Sequence, residues 1–151
     1  MSLHAKLWRS REEIHGIAGI NPLAVLIAAV AGFAFGAAYY VGLSKQWLAA
    51  IGMTKDAVAA RRSPAPFIVS IVALLIMAWV LAGGIGHLGP GQVTLKNGII
   101  SALFMWLGFV ITTLAVNYSF GQCKASLTVI DGIHWLGVLV IQGAIIGAMG
   151  V

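Results

Sequence analysis

Four long apolar stretches that contain almost no charged residue constrain this chain more than any other feature. They cover about residues 22–41, 65–85, 98–116 and 129–149. A helix needs about 20 apolar residues to cross the roughly 30 Å hydrocarbon core of a bilayer, and each stretch approaches that length. Lipid offers no hydrogen-bond partner to an open backbone, and no stretch alternates as a barrel strand would. The sequence therefore predicts an all-α membrane protein, a four-transmembrane-helix bundle formed by residues 21–151.

The composition points the same way and limits the partners. Of 151 residues, 60% are hydrophobic and only 9% are charged, whereas a soluble globular protein carries about 25% charged residues. The net charge of +5 comes from nine lysines and arginines that lie almost entirely outside the apolar stretches. Positive-inside bias and anionic head groups explain such charges. We therefore expect membrane lipids rather than nucleic acid as partners, and the bacterial inner membrane as the location.

Residues 1–20 form a polar extension before the first predicted span. On a helix, four of its apolar residues would fall within about 80° of one another: Leu3, Leu7, Ile14 and Ile17. This pattern is typical of a short amphipathic helix that lies in the plane of the head groups. Gly16 and Gly19 weaken any helix and favour a frayed tail instead. Both interpretations remain open at this point.

The first connection, 42–64, has the signals of two short helices. Gly52 can end one of them in a left-handed conformation, and Thr54 can cap the next, which would run through Arg62 to a stop at Ser63 and Pro64. Trp47 suits a position at the membrane interface. This connection is therefore expected to lie at one membrane surface rather than to cross the bilayer.

Small residues at helical spacing mark the first and last spans as packing helices. Ala28, Gly32 and Gly36 follow one another at intervals of four on the first span, which lets another helix approach closely in lipid. On the last span Gly143 and Gly147 share a face with Gly132 and Gly150. We expect these two spans to be the most closely packed, within one chain or between copies.

The last span also carries the most informative polar residues, Asp131, His134 and Gln142. At 100° per residue all three fall on one face. Ionisable groups at membrane depth are costly and normally face protein or a wet cavity. One hypothesis makes Asp131 and His134 a hydrogen-bonded proton relay or cation site. The alternative is structural: Asp131 caps the helix near the head groups and orients His134, while Gln142 bonds another helix.

Enzyme and metal chemistry find little support in the sequence. No nucleophile motif, zinc-protease motif or phosphate-binding loop is present, and the only carboxylate side chains are Glu12, Glu13, Asp56 and Asp131. Two protein ligands are too few to define a metal site. His87 could provide a third only if the end of the second span faced the start of the fourth, and up-down topology puts those two ends on opposite membrane faces. We predict neither a metal nor a cofactor, and no enzymatic activity.

Several short motifs together resemble a known family. They are, in chain order, Ala37-Ala38-Tyr39-Tyr40, Trp47, Gly52-Met53-Thr54, Trp106-Leu107-Gly108-Phe109, Asn117-Tyr118 and Asp131-Gly132-x-His134-Trp135. With these residues the chain resembles the small bacterial membrane family called domain of unknown function 1761, over about residues 21–151. The resemblance implies a four-span integral membrane protein, and it transfers no activity and no catalytic residue.

Two functional hypotheses follow from these observations. The glycine faces and the scarcity of reactive groups favour a packing or accessory membrane protein, which would form a homo-oligomer or join a larger membrane complex. The polar face of the last span favours a small oligomeric transporter or channel for protons, cations or a small solute, with Asp131, His134 and Gln142 along its path.

Overall fold

The computed structural model describes residues 19–61 and 63–151 and contains four helices long and apolar enough to cross a membrane. The predicted four-helix architecture is therefore confirmed. The amphipathic helix considered for the N-terminal extension lies outside the described residues. The four spans are Pro22–Gly42, Ala65–Gly86, Leu95–Phe120 and Ala125–Met149.

The third span is longer than the apolar pattern indicates. It begins at Leu95 because the Thr94 side chain accepts a hydrogen bond from the Asn97 backbone N–H and caps the helix. Its α-helix runs to Met105, continues as a π-helical turn over Trp106–Val110, and resumes as an α-helix over Ile111–Phe120. The polar residues near its end, which look like a connection in the sequence, thus belong to the helix.

The first connection folds into the two predicted short helices. Ser44–Ile51 ends at Gly52, whose φ of +69° is the left-handed conformation that glycine adopts readily. Thr54 caps the second helix, Lys55–Ala60, by accepting a hydrogen bond from the Ala57 N–H. This helix ends before the predicted Arg62, because the backbone already turns at Arg61.

The fourth span is the centre of the bundle and packs against each of the other three. The first and fourth spans bury larger shares of their residues than the second and third. Around the fourth span the core consists of apolar side chains, of which Leu81, Ile85, Val138 and Ile146 are the largest that are fully buried. The third span buries only 6% of its most apolar window, so most of its surface faces outward.

The up-down order brings one set of helix ends together. The ends of the first and third spans, the start of the fourth and the two short helices all lie at the same membrane face. The Lys124 ammonium donates a hydrogen bond to the Ala49 carbonyl at 2.6 Å, which ties the short helix Ser44–Ile51 to the start of the fourth span. The candidate site lies just beneath this contact.

Candidate functional site

Asp131 joins three of the four spans through its carboxylate. The Tyr40 hydroxyl, from the end of the first span, donates to Oδ1 at 2.8 Å. The Tyr118 hydroxyl, from the end of the third span, donates to Oδ2 at 2.7 Å. Asp131 is only 7% exposed, so both carboxylate oxygens have a protein partner at a depth where water is scarce. We call Asp131, Tyr40 and Tyr118 the carboxylate clamp.

Two backbone carbonyls beside Asp131 accept further side-chain hydrogen bonds. The Tyr39 hydroxyl donates to the Ile130 carbonyl at 2.9 Å, and the Trp106 indole N–H donates to the Gly132 carbonyl at 2.8 Å. Trp106 opens the π-helical turn of the third span. The start of the fourth span is therefore held by four side chains that reach it from the first and third spans.

His134 lies one turn further along and is surrounded by aromatic rings. Its ring centroid is 4.7 Å from that of Tyr40 and 4.9 Å from that of Trp135, and the rings of Phe35 and Tyr39 lie within about 6 Å. Gly36 makes room for it, because a Cβ there would come within 2.8 Å of His134 Nε2. His134 Nδ1 is buried and has no hydrogen-bond partner among the described residues.

This geometry separates the two hypotheses for Asp131 and His134. Among the described residues no hydrogen bond joins the two side chains, since both oxygens of Asp131 accept from tyrosines. The helix-capping interpretation of Asp131 is also wrong. The fourth span begins six residues earlier, with Lys124 at its N-cap, and Asp131 lies inside the helix. Asp131 thus connects helices, and one ring nitrogen of His134 has no hydrogen-bond partner in the part of the chain that the structure describes.

Gln142 makes the contact with another helix that the structural interpretation expects. It is fully buried, and its Nε2 donates to the Leu74 carbonyl of the second span at 3.0 Å. Its Oε1 has no partner among the described residues. Gln142 therefore points to a different span from Asp131, although both lie on the inward side of the fourth helix.

The small residues predicted to pack helices make two different contacts, one between the first and fourth spans and one between the third and fourth spans. On the first span, Ala28 is fully buried, and a Cβ on Gly32 would touch Val138, Leu74 and Gln142. On the fourth span, Gly143 and Gly147 lie against the backbone of the third span at Gly98 and Thr94, so close that no Cβ would fit. The backbone contact made by Gly143 and Gly147 is therefore with the third span and not with the first.

A cavity of about 720 Å³ lies beside His134, beneath the two short helices. Its wall comes from the end of the first span, the start of the second span, both short helices, and His134 with Trp135 of the fourth span. Most of the wall is apolar: Gly32, Phe33, Gly36, Ala37, Val41, Leu48, Val58, Ala59, Phe67 and Leu74. Its polar members are Tyr40, Ser44, Trp47, Lys55, Ser70, His134 and Trp135.

The described residues contain no group of three or more histidine, cysteine or acidic side chains that could hold a metal ion. His87 is exposed at the end of the second span, where its Nδ1 lies 2.7 Å from the Gly83 carbonyl of its own helix. Asp131 and His134 lie near the opposite membrane face, as the up-down order requires. Within the described residues, His87 therefore does not join Asp131 and His134 in a three-ligand metal site.

Sequence reasoning did not identify Tyr40 and Tyr118 as partners of Asp131. Tyrosines near helix ends suit the membrane interface as well as the core, so their residue type alone does not assign them. One signal was available: in an up-down bundle the ends of the first and third spans lie beside the start of the fourth. The cavity had no signal of its own, because it depends on where the short helices fold back.

Several of the residues that carry the family resemblance lie at this site. Tyr40, Tyr118 and Asp131 form the clamp, Tyr39 and Trp135 lie beside His134, and Trp106 donates to the Gly132 carbonyl. Comparison with curated proteins and with solved structures gave no match. The profile of one family, described as Protein of unknown function (DUF1761), matches residues 23–147. That match covers most of the chain and confirms the resemblance, so this membrane protein belongs to the DUF1761 family.

Proposed function

We propose that this protein binds a small, largely apolar molecule within the bilayer and acts as a carrier or small transporter for it. The observation that carries the proposal is the cavity beside His134. Its volume of about 720 Å³ falls within the roughly 300–1,000 Å³ of ligand pockets, which are typically apolar with a few polar groups. A wall of aromatic and aliphatic side chains with a buried imidazole has that character.

The hydrogen bonds of the polar face favour a solute over a proton or a cation. A relay needs groups that can exchange partners, but Asp131 is engaged by two tyrosines and Gln142 by the Leu74 carbonyl. Of these three residues, His134 alone contributes to the cavity wall, and its Nδ1 has no hydrogen-bond partner within residues 19–61 and 63–151.

Filling the cavity tests the proposal. Ala37 and the neighbouring Ala38 are both exposed, but only Ala37 belongs to the wall. Native mass spectrometry of protein extracted gently from membranes should show a copurified small molecule. We expect Ala37→Phe to lose most of that adduct and Ala38→Phe to keep it. Equal adducts in the two variants would contradict binding in this cavity.

A second candidate is the packing or accessory role, in a homo-oligomer or a larger membrane complex. It is favoured by the third span, which buries the smallest share of its residues and presents large apolar side chains outward. Phe104, Phe109 and Phe120 are each more than 70% exposed. Mass measurement in lipid nanodiscs tests this role. Assembly should weaken when Phe104 and Phe109 become alanine, and a strictly monomeric wild type would exclude the homo-oligomer.

We also propose that the membrane in which this protein lies is the bacterial inner membrane. This location is supported by the helical form of the spans, since proteins of bacterial outer membranes are typically β-barrels. Fractionation of bacterial membranes that carry the tagged protein would test it.

A further inference from the structure

The formal charge on the cavity wall limits the class of ligand that the cavity can bind. Among the described residues, Lys55 at the start of the second short helix is the only member of the wall with a formal charge, and none of these members is acidic. Asp56, its neighbour, is exposed outside the wall. Asp131 lies behind Tyr40 with both oxygens bonded. The charge that a ligand meets directly at the membrane face is therefore positive.

The polar groups deeper in the cavity offer little to a charged head group. The Ser70 hydroxyl donates to the Pro66 carbonyl of its own helix at 2.8 Å, and the Tyr40 hydroxyl donates to Asp131. Around them the wall is formed by aromatic and aliphatic side chains. The cavity is thus cationic at the membrane face and largely apolar below it, with the His134 imidazole as a polar exception.

The depth of the cavity matches one leaflet of a bilayer. Along the first span the wall extends from Val41 to Gly32, a separation of nine positions that corresponds to about 14 Å at about 1.5 Å per residue. This is close to half of the roughly 30 Å hydrocarbon thickness. Along the second span it extends from Phe67 to Leu74. A molecule with its head at Lys55 would therefore end near the middle of the bilayer.

We infer that the ligand is a single-tailed amphiphile with an acidic head group, taken from the leaflet on the side of the short helices. The inference rests on the proposed function and adds the ligand class and the roles of the wall. Lys55 pairs with the head group at the water interface, where the two charges attract. Phe33, Phe67 and Leu74 surround the tail, and Trp135 and His134 form the inner side.

The test uses contact quenching of tryptophan, because Trp47 and Trp135 belong to the wall. Wild-type protein in nanodiscs of neutral phosphatidylcholine is titrated with dibromostearic acid and with the matching dibrominated alcohol. Lys55→Glu should raise the half-quenching concentration of the acid about tenfold, as expected when an exposed attraction becomes a repulsion. The alcohol should be unaffected, and Lys55→Arg should behave as the wild type does.

Lys45 supplies the matched control, since it is an exposed lysine at the same membrane face that does not belong to the wall. Lys45→Glu should leave both titrations unchanged. Equal weakening of acid binding by Lys45→Glu and Lys55→Glu would contradict the inference of an acidic head group. So would an equal effect of Lys55→Glu on binding of the acid and of the alcohol. If a water-soluble dibrominated octanoate quenches at as low a concentration as dibromostearate does, the leaflet source is overturned. A failure of the proposed function itself, binding in this cavity, is distinguishable, because Ala37→Phe would then leave quenching by both probes unchanged.

Discussion

The two halves of the fourth span are fixed in the bundle by different physical means. Its first half, around Asp131, is held by hydrogen bonds from tyrosine and tryptophan side chains that reach across from other spans. Its second half, around Gly143 and Gly147, lies directly on the backbone of the third span. Long side chains keep helices apart and leave room for a cavity, whereas a glycine contact leaves none. The cavity lies at the end of the bundle where long side chains, rather than direct backbone contact with the third span, hold the fourth span.

The largest effect is expected at the glycine contact. A Cβ on Gly143 would collide with the Gly98 carbonyl, so Gly143→Val must push the third and fourth spans apart. We expect it to lower the free energy of unfolding by about 3 kcal/mol or more, at the upper end of overpacking effects. The measurement is denaturant unfolding in mild detergent, followed by circular dichroism.

Gly108→Val is its control, because a Cβ there meets no atom within 4 Å. This variant should unfold nearly as the wild type does. If the two variants prove equally stable, the second half of the fourth span does not depend on close backbone approach.

The next effect is expected at the carboxylate clamp. Tyr40→Phe removes one donor from Asp131 and leaves a buried carboxylate oxygen unpaired. We expect a loss of about 1.5–3 kcal/mol, the range for hydrogen bonds to charged groups. The matched control is Tyr39→Phe. The Tyr39 hydroxyl donates only to a backbone carbonyl, so its loss should lower the free energy of unfolding by only about 0.5–1.5 kcal/mol.

Unfolding of Tyr39→Phe, Tyr40→Phe and Tyr118→Phe under identical conditions would rank these contributions. Tyr118→Phe should resemble Tyr40→Phe, because each donates to one oxygen of Asp131. A larger loss for Tyr39→Phe than for Tyr40→Phe would show that the clamp is not the principal contact of this region.

The smallest effect is expected at Gln142, between the two regions. Gln142→Met keeps the volume, loses one hydrogen bond to the Leu74 carbonyl and removes an unpartnered Oε1. Because these changes oppose one another, the free energy of unfolding should shift by less than about 1 kcal/mol. A loss comparable to that of Tyr40→Phe would mean that Gln142 holds the bundle as firmly as Asp131 does.

The sequence was sufficient for the features that depend on hydrophobicity and local signals. Four apolar stretches determine four spans, and Gly52 and Thr54 determine the ends of the short helices because their roles are local. The polar face of the fourth span was also readable from helical periodicity. Periodicity could not assign the hydrogen-bond partner of each polar residue, because the partner depends on which helices pack beside it. Asp131 and Gln142 looked equivalent for that reason, although they bond different spans.

The π-helical turn of the third span determines how that helix is phased. Ala102 faces the fourth span, and Tyr118 follows it by 16 residues. In an uninterrupted α-helix the two would point about 160° apart at 100° per residue. A π-helical turn takes up one extra residue, as the bond from the Ile111 N–H to the Trp106 carbonyl shows, and reduces the difference to about 60°. A single inserted residue in mid-membrane therefore aims Tyr118 at Asp131, and deleting one residue there would rotate the tyrosine towards lipid.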